Sequence, residues 1–112
     1  MDDLLHQMGE RISTRRKQLR WTQEELAEAA GVTPQTISTA ELGKKALRPE
    51  NIIRICAALD ISPDYLLLGR ISEGDLSILS QKVSQLSPEQ YRHLEDVVDS
   101  FIAVARPKGN KA

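Results

Sequence analysis

The sequence predicts an all-α chain, built as five short helices followed by a two-helix extension. Three observations carry that prediction. Leu, Ala, Glu, Gln, Arg and Lys dominate, β-branched runs are short, and Phe and Trp occur once each. Apolar residues recur at three- and four-residue spacing along the chain. The intervals between apolar stripes carry helix start and stop signals.

The first helix is expected from about Asp3 to Leu19, with Leu5, Met8, Ile12 and Leu19 on its buried face. Thr22 caps the second, and Glu25 three residues later completes a capping box. Leu26, Ala29 and Ala30 form its apolar stripe, Trp21 packs as a staple, and Gly31 ends it in the left-handed region. Thr33 caps a third helix with Pro34 at its first position, where the missing N–H costs nothing. This helix runs to about Leu42 and stops at Gly43. Lys44 to Arg48 is a loop, and Pro49 opens a fourth helix with Ile52, Ile53, Ile55, Cys56 and Leu59 facing the core. Ser62 and Pro63 start a fifth, containing Tyr65, Leu66 and Leu67, which Gly69 ends. Residues 1–69 read as one domain.

Residues 70–106 read as a helical extension. Ser72 and Asp75 cap a sixth helix with Leu76, Leu79, Val83 and Leu86 along it. Ser87 and Gln90 form another capping box. The helix that follows carries Tyr91, Leu94, Val97, Val98, Phe101, Ile102 and Ala105 on one face. Residues 107–112 read as a disordered polar tail.

Bulk composition narrows the function classes. No apolar run reaches the ~18 residues of a membrane span, and the N-terminus lacks the basic segment of a secretory signal. The single cysteine, Cys56, excludes an internal disulfide framework and fits a cytoplasmic protein, most simply as a small core residue. His6 and His93 have no Cys or second His at ligand spacing, so no metal is expected, and no cofactor. A net charge of −1 is unusual for a nucleic-acid binder. The cations are clustered, however: Arg11, Arg15, Arg16, Lys17 and Arg20 in one segment, Lys44, Lys45, Arg48 and Arg54 in another. Together they could build one basic patch, against the alternative of a solvated surface of mixed charge.

The segment Thr22–Gly43 has the requirements of a helix-turn-helix. Ala27, Ala29 and Ala30 are small where a second helix must cross. Gly31 frees the turn from Cβ strain, and Val32, Ile37 and Ala40 make the inner face of the second helix. Its outer face carries Thr33, Gln35, Thr36, Ser38 and Thr39, short polar groups suited to base edges. Gln binds adenine bidentately, and Thr offers a hydroxyl and a methyl. A solvated helix would normally carry Lys or Glu there.

Arg16–Ala27, Gly31–Ser38, Glu41–Lys44, Arg48-Pro49, Ala58-Leu59 and Ser62–Gly69 together resemble the Cro/cI-type (XRE) helix-turn-helix repressors, over about residues 8–69. The resemblance implies a lambda-repressor-like DNA-binding domain. Thr33, Pro34, Gln35, Thr36 and Thr39 are then the base-reading positions. Gln23, Lys44, Lys45 and Arg48 are then phosphate contacts, with Arg20 and Ser38 expected beside them from this chain's own residues, and Arg16 and Glu41 form an internal salt bridge. Three positions depart from the family pattern. Pro34 replaces a polar base reader, Leu42 replaces Asn or Arg, and Arg20 stands where glycine is common.

No catalytic set is found, and the protein is not expected to be an enzyme. Residues 70–112 are too short and too helical for the self-cleaving peptidase of larger relatives, and Ser77, Ser80, Ser84 and Lys82 read as polar helix faces. The expected function is a sequence-specific duplex-DNA-binding repressor acting as a homodimer on a two-fold operator. Leu94, Val97, Val98, Phe101 and Ile102 would form the dimer contact. The alternative is an antitoxin that binds a toxin protein through the C-terminal helices and represses its own operon. A scaffold making only protein contacts is a third reading.

Overall fold

The computed structural model describes residues 2–105 of the chain. They form seven α-helices and, among the described residues, no strand: α1 (Asp2–Gln18), α2 (Gln23–Ala30), α3 (Pro34–Glu41), α4 (Pro49–Leu59), α5 (Pro63–Leu68), α6 (Glu73–Val83) and α7 (Pro88–Ala105). The tail expected to be disordered, with residue 106, lies outside the described residues.

Local chemistry sets the boundaries. The Thr22 hydroxyl accepts from Glu25 N at 3.0 Å while the Glu25 carboxylate accepts from Thr22 N at 2.8 Å, so α2 starts on a complete capping box. Thr33 and Ser62 accept from Thr36 N and Tyr65 N in the same way at the heads of α3 and α5. Gly31 and Gly69 end α2 and α5 at φ of 74° and 70°. Ser87 and Gln90 reproduce the reciprocal cap ahead of α7.

Two compact units result, one up to Leu76 and one from Ser77 onward. The first holds the core: Met8, Ile12, Leu26, Ala27, Ala30, Ile37, Ala40, Ile55, Cys56, Leu59 and Leu66. Helix α1 packs on α3, α4 and α5, and α2 packs on α3 and α4. This unit reaches past Gly69 because Asp75, in the first turn of α6, accepts hydrogen bonds from Ser72 N and Ser62 Oγ, both at 2.8 Å.

Several core assignments differ from the expectation. Ile53 is 64% exposed, because the buried stripe of α4 runs through Ile52, Ile55, Cys56 and Leu59, and a residue next to Ile52 turns about 100° away from it. Ala29 is exposed and Ala27 buried, since α2 turns Leu26, Ala27 and Ala30 inward. Leu5 and Leu19 are half-buried rather than fully so. In α6, Leu76 and Leu79 are largely exposed, and only Val83 of the expected stripe is half-buried.

A glycine outside the turns proves structural. A Cβ on Gly9 would lie 2.5 Å from the carbonyl oxygens of both Ala40 and Glu41. Helices α1 and α3 therefore approach backbone to backbone, which fixes where the C-terminal end of α3 sits.

Candidate nucleic-acid interface

Helices α2 and α3 are joined by Gly31, Val32 and Thr33. Gly31 meets nothing where a Cβ would stand, so it is required by its positive φ and not by space. Val32 N donates to Ala27 O at 3.0 Å, closing the end of α2 and fixing the angle of the turn. Ile37 and Ala40 are buried, so the remaining residues of α3 are turned outward.

That outward face is polar and uncharged. Thr33, Pro34 and Gln35 are exposed, and Thr36, Ser38 and Thr39 are half-buried. Its side chains are mutually ordered. Gln35 Nε2 donates to Thr39 Oγ1 at 3.1 Å, and the Thr33 and Thr36 hydroxyls share a hydrogen bond of 2.9 Å. Among the described residues the second Gln35 N–H and its Oε1 stay available, which is the donor–acceptor pair an adenine edge requires.

Gln35, Thr36 and Thr39 line one side of a concavity of about 330 Å³, and Lys45, Arg48 and Asn51 line the other. The structure thus brings three of the five expected base readers and two of the expected phosphate cations onto one surface, while Thr33 and Pro34 lie outside the concavity lining. Arg48 pairs with Glu50 at 3.9 Å, and both are highly exposed. Such a pair is screened and leaves the guanidinium free to engage an anion. Lys44 and Arg20 are exposed, and Leu42 presents an apolar side chain at the C-cap of α3.

The three arginines of α1 are committed within the fold rather than free to join this surface as a single patch. Arg11 Nη1 donates to Leu66 O at 3.0 Å, and Arg15 Nε donates to Leu59 O at 2.9 Å. Both satisfy carbonyls at the C-terminal ends of α5 and α4, which have no partner within their own helices. Arg16 is committed as well. Its Nε and Nη2 grip Glu41 at 2.7 and 3.1 Å, and its Nη1 donates to Trp21 O at 2.8 Å. One guanidinium therefore ties the start of α2 to the end of α3, and the Glu41 hydrogen bond raises its pKa further.

Two features had no clear sequence signal. Gln23 Nε2 donates to Glu41 Oε1 at 3.0 Å across eighteen residues of chain. Asn51 reaches the concavity from the first turn of α4, an element otherwise read as core. Gly9 did have a signal, as an isolated glycine within a helical pattern. Cys56 is buried, and burial pushes its thiol up to about 11, so it is an inert core group at neutral pH.

In the second unit, α7 exposes an apolar face. Val97 is 62% and Phe101 72% exposed, Val98 and Ile102 are also exposed, and Leu94 is half-buried.

A short two-helix corner with an uncharged, hydrogen-bonding outer face and flanking cations defines a helix-turn-helix module. The Helix-turn-helix family pattern matches residues 12–66, and the chain belongs to that family, in its Cro/cI-type (XRE) branch. It is 32% identical over 99 residues to the uncharacterized HTH-type transcriptional regulator YqaE of Bacillus subtilis, covering 87% of this chain and 84% of that protein. It is 39% identical over 74 residues to repressor protein C2 of Salmonella phage P22, 66% of this chain. This chain spans about a third (34%) of that repressor's length. The crystal structure of the P22 c2 repressor with a synthetic operator superposes with a TM-score of 0.55 at 43% identity, covering 56% of this chain and 96% of that one. A SinR protein/SinI protein complex matches over 86% of this chain and 98% of that one, with a TM-score of 0.56 at 27% identity.

Proposed function

We propose that the protein is a sequence-specific duplex-DNA-binding transcriptional repressor that uses α3 as its recognition helix. The observation that carries this reading is the shared concavity: hydrogen-bonding, uncharged α3 side chains on one wall and Lys45 and Arg48 on the other. A helix laid in the major groove needs that order, base edges against the helix and phosphates against the flanking loop. Gln35, Thr36 and Thr39 read bases, with Thr33 and Pro34 at the groove edge. Arg20, Gln23, Ser38, Lys44, Lys45 and Arg48 meet the phosphates. The P22 relative, crystallised with an operator, supports the same docking.

One module covers half an operator, so we assign residues 70–106 to dimerisation through Leu94, Val97, Val98, Phe101 and Ile102. The exposed apolar face of α7 supports that assignment. We read the protein as a binding protein and not an enzyme, acting in the cytoplasm. Among the described residues no helix is long and apolar enough to cross a membrane.

Selection of bound sites from a random duplex library tests the reading, and two half-sites about one helical turn apart, or a multiple of it, are the expected outcome. On the selected duplex, Gln35→Ala costs about 1–3 kcal/mol and relaxes preference at one base pair. Lys44→Ala weakens all sequences alike and lowers the salt slope by about one. If neither substitution changes binding, α3 is not the recognition helix.

A further inference from the structure

We infer that Glu41 is a positioning residue for DNA binding as well as half of a salt bridge: it holds the Gln23 amide donor-side inward and so fixes the groups Gln23 presents to a phosphate. The inference rests on the DNA-binding reading above and deepens it by adding a residue that does not touch DNA.

The geometry is specific. The Glu41 carboxylate accepts three hydrogen bonds with two oxygens, two from Arg16 and one from Gln23 Nε2. The Arg16 and Glu41 side chains are only 12% and 7% exposed, so this pair is a fixed part of the scaffold. Gln23 is the first residue of α2 and half-buried. A carboxylate only accepts, so it forces Nε2 and not Oε1 to face it. One Gln23 N–H is thereby used, and the other, with Oε1, has no partner among the described residues. A free glutamine would sample many rotamers and both amide orientations. Here the ordering is complete before DNA arrives, and immobilising such a side chain on binding otherwise costs up to about tenfold in affinity.

The same geometry sets the substitution. In Glu41→Gln a single acceptor oxygen faces three donors, Nε and Nη2 of Arg16 and Nε2 of Gln23. The guanidinium takes it, and Gln23 is either released or turned over to accept from the new amide through Oε1, so the donor-side-inward arrangement is lost in both cases. Arg16→Lys serves as the contrast. It weakens the scaffold by losing the bond to Trp21 O but leaves the Glu41 carboxylate to hold Gln23.

The test is a double-mutant cycle in the full chain on a duplex selected by the wild-type protein, with affinity and salt slope measured on folded samples. Gln23→Ala is expected to lose about tenfold in affinity and lower the slope. Glu41→Gln loses affinity alone but costs nothing further in the Gln23→Ala background. Arg16→Lys lowers the unfolding temperature while leaving affinity within about twofold. Additive effects of Gln23→Ala and Glu41→Gln overturn the inference, as does an Arg16→Lys variant that binds as poorly as Glu41→Gln. Should Glu41→Gln fail to fold, the side-chain amide resonances of Gln23 in the wild-type protein decide. One amide proton shifted away from its free-glutamine position and protected from exchange with water supports anchoring, and two protons at free-glutamine positions in fast exchange with water overturn it. That readout needs no DNA, so it is separate from the DNA-binding reading, which falls if the wild type binds no duplex at low salt.

Discussion

Arg20 adopts φ of 62°, a left-handed conformation that an L side chain reaches only at a cost. Relief of that strain is worth about 1–2 kcal/mol, of which the extra freedom of an unfolded glycine takes back about half. Arg20→Gly is therefore expected to raise stability by about 0.5–1 kcal/mol in a denaturant titration while weakening duplex binding and reducing its salt slope. A variant that is more stable and binds equally well would remove Arg20 from the phosphate set. Gly9 answers in the opposite sense. Its Cβ would press on two α3 carbonyls, so Gly9→Ala should destabilise by about 1–3 kcal/mol despite alanine's better helix propensity, visible as a lower unfolding midpoint. The sequence marks Arg20 as an irregularity, an arginine where glycine is common, whereas for Gly9 the available signal, an isolated glycine inside a helical pattern, does not by itself say which backbone comes close. The bond between Gln23 and Glu41 could not be read that way. The two lie eighteen positions apart, and nothing local to either encodes the crossing of α2 and α3 that brings them together.

Helix ends were legible because capping is local chemistry, complete within three or four residues. Thr22 with Glu25, Thr33, Ser62, and Ser87 with Gln90 all cap where their spacing indicates. Helix faces were less so. Ile53 and Ala29 satisfy an apolar pattern, yet which arc of a short helix is buried depends on the neighbours that pack on it, and these are set by the fold. The arginines of α1 make the same point: a basic run in sequence becomes carbonyl caps for α4 and α5 once those helix ends arrive beside it. Asp75 is the element-level contact most open to test. It accepts from Ser72 N, Ser62 Oγ and Ser72 Oγ, and these bonds, the Ser72 backbone first, hold its carboxyl below the ordinary 3.8. A carboxyl with a depressed folded value contributes stability that is present above 3.8 and lost as pH falls through the folded value. Protection of the amides at residues 72–76, taken relative to their intrinsic exchange rate at each pH, should fall in that acid range, and Asp75→Asn should produce the same loss at neutral pH. Protection unchanged in both conditions would mean that α6 is not anchored by Asp75.

For the whole molecule, the core identified among the described residues lies between Met8 and Leu66, within the unit that ends at Leu76. That unit should therefore fold alone. Removing residues 77–112 is expected to leave its unfolding temperature within a few degrees of the full chain's. What the truncated chain loses is the apolar face of α7, where Val97 and Phe101 lie exposed beyond what a solvated helix tolerates. If that face joins two copies, sedimentation will show a dimer for the full chain and a monomer for the truncated one. Binding to a duplex with two half-sites should then fall by about 10²–10⁴, because the second half-site is no longer reached intramolecularly, while affinity for a single half-site is unchanged. Phe101→Asp in the full chain should reproduce the loss with the first unit intact, since no buried residue of that unit is altered. A full chain that sediments as a monomer and binds paired half-sites no better than its truncated form would move the α7 face from dimerisation to another partner. The helix-turn-helix itself would stand in either outcome, because its residues and its core lie entirely within the first unit.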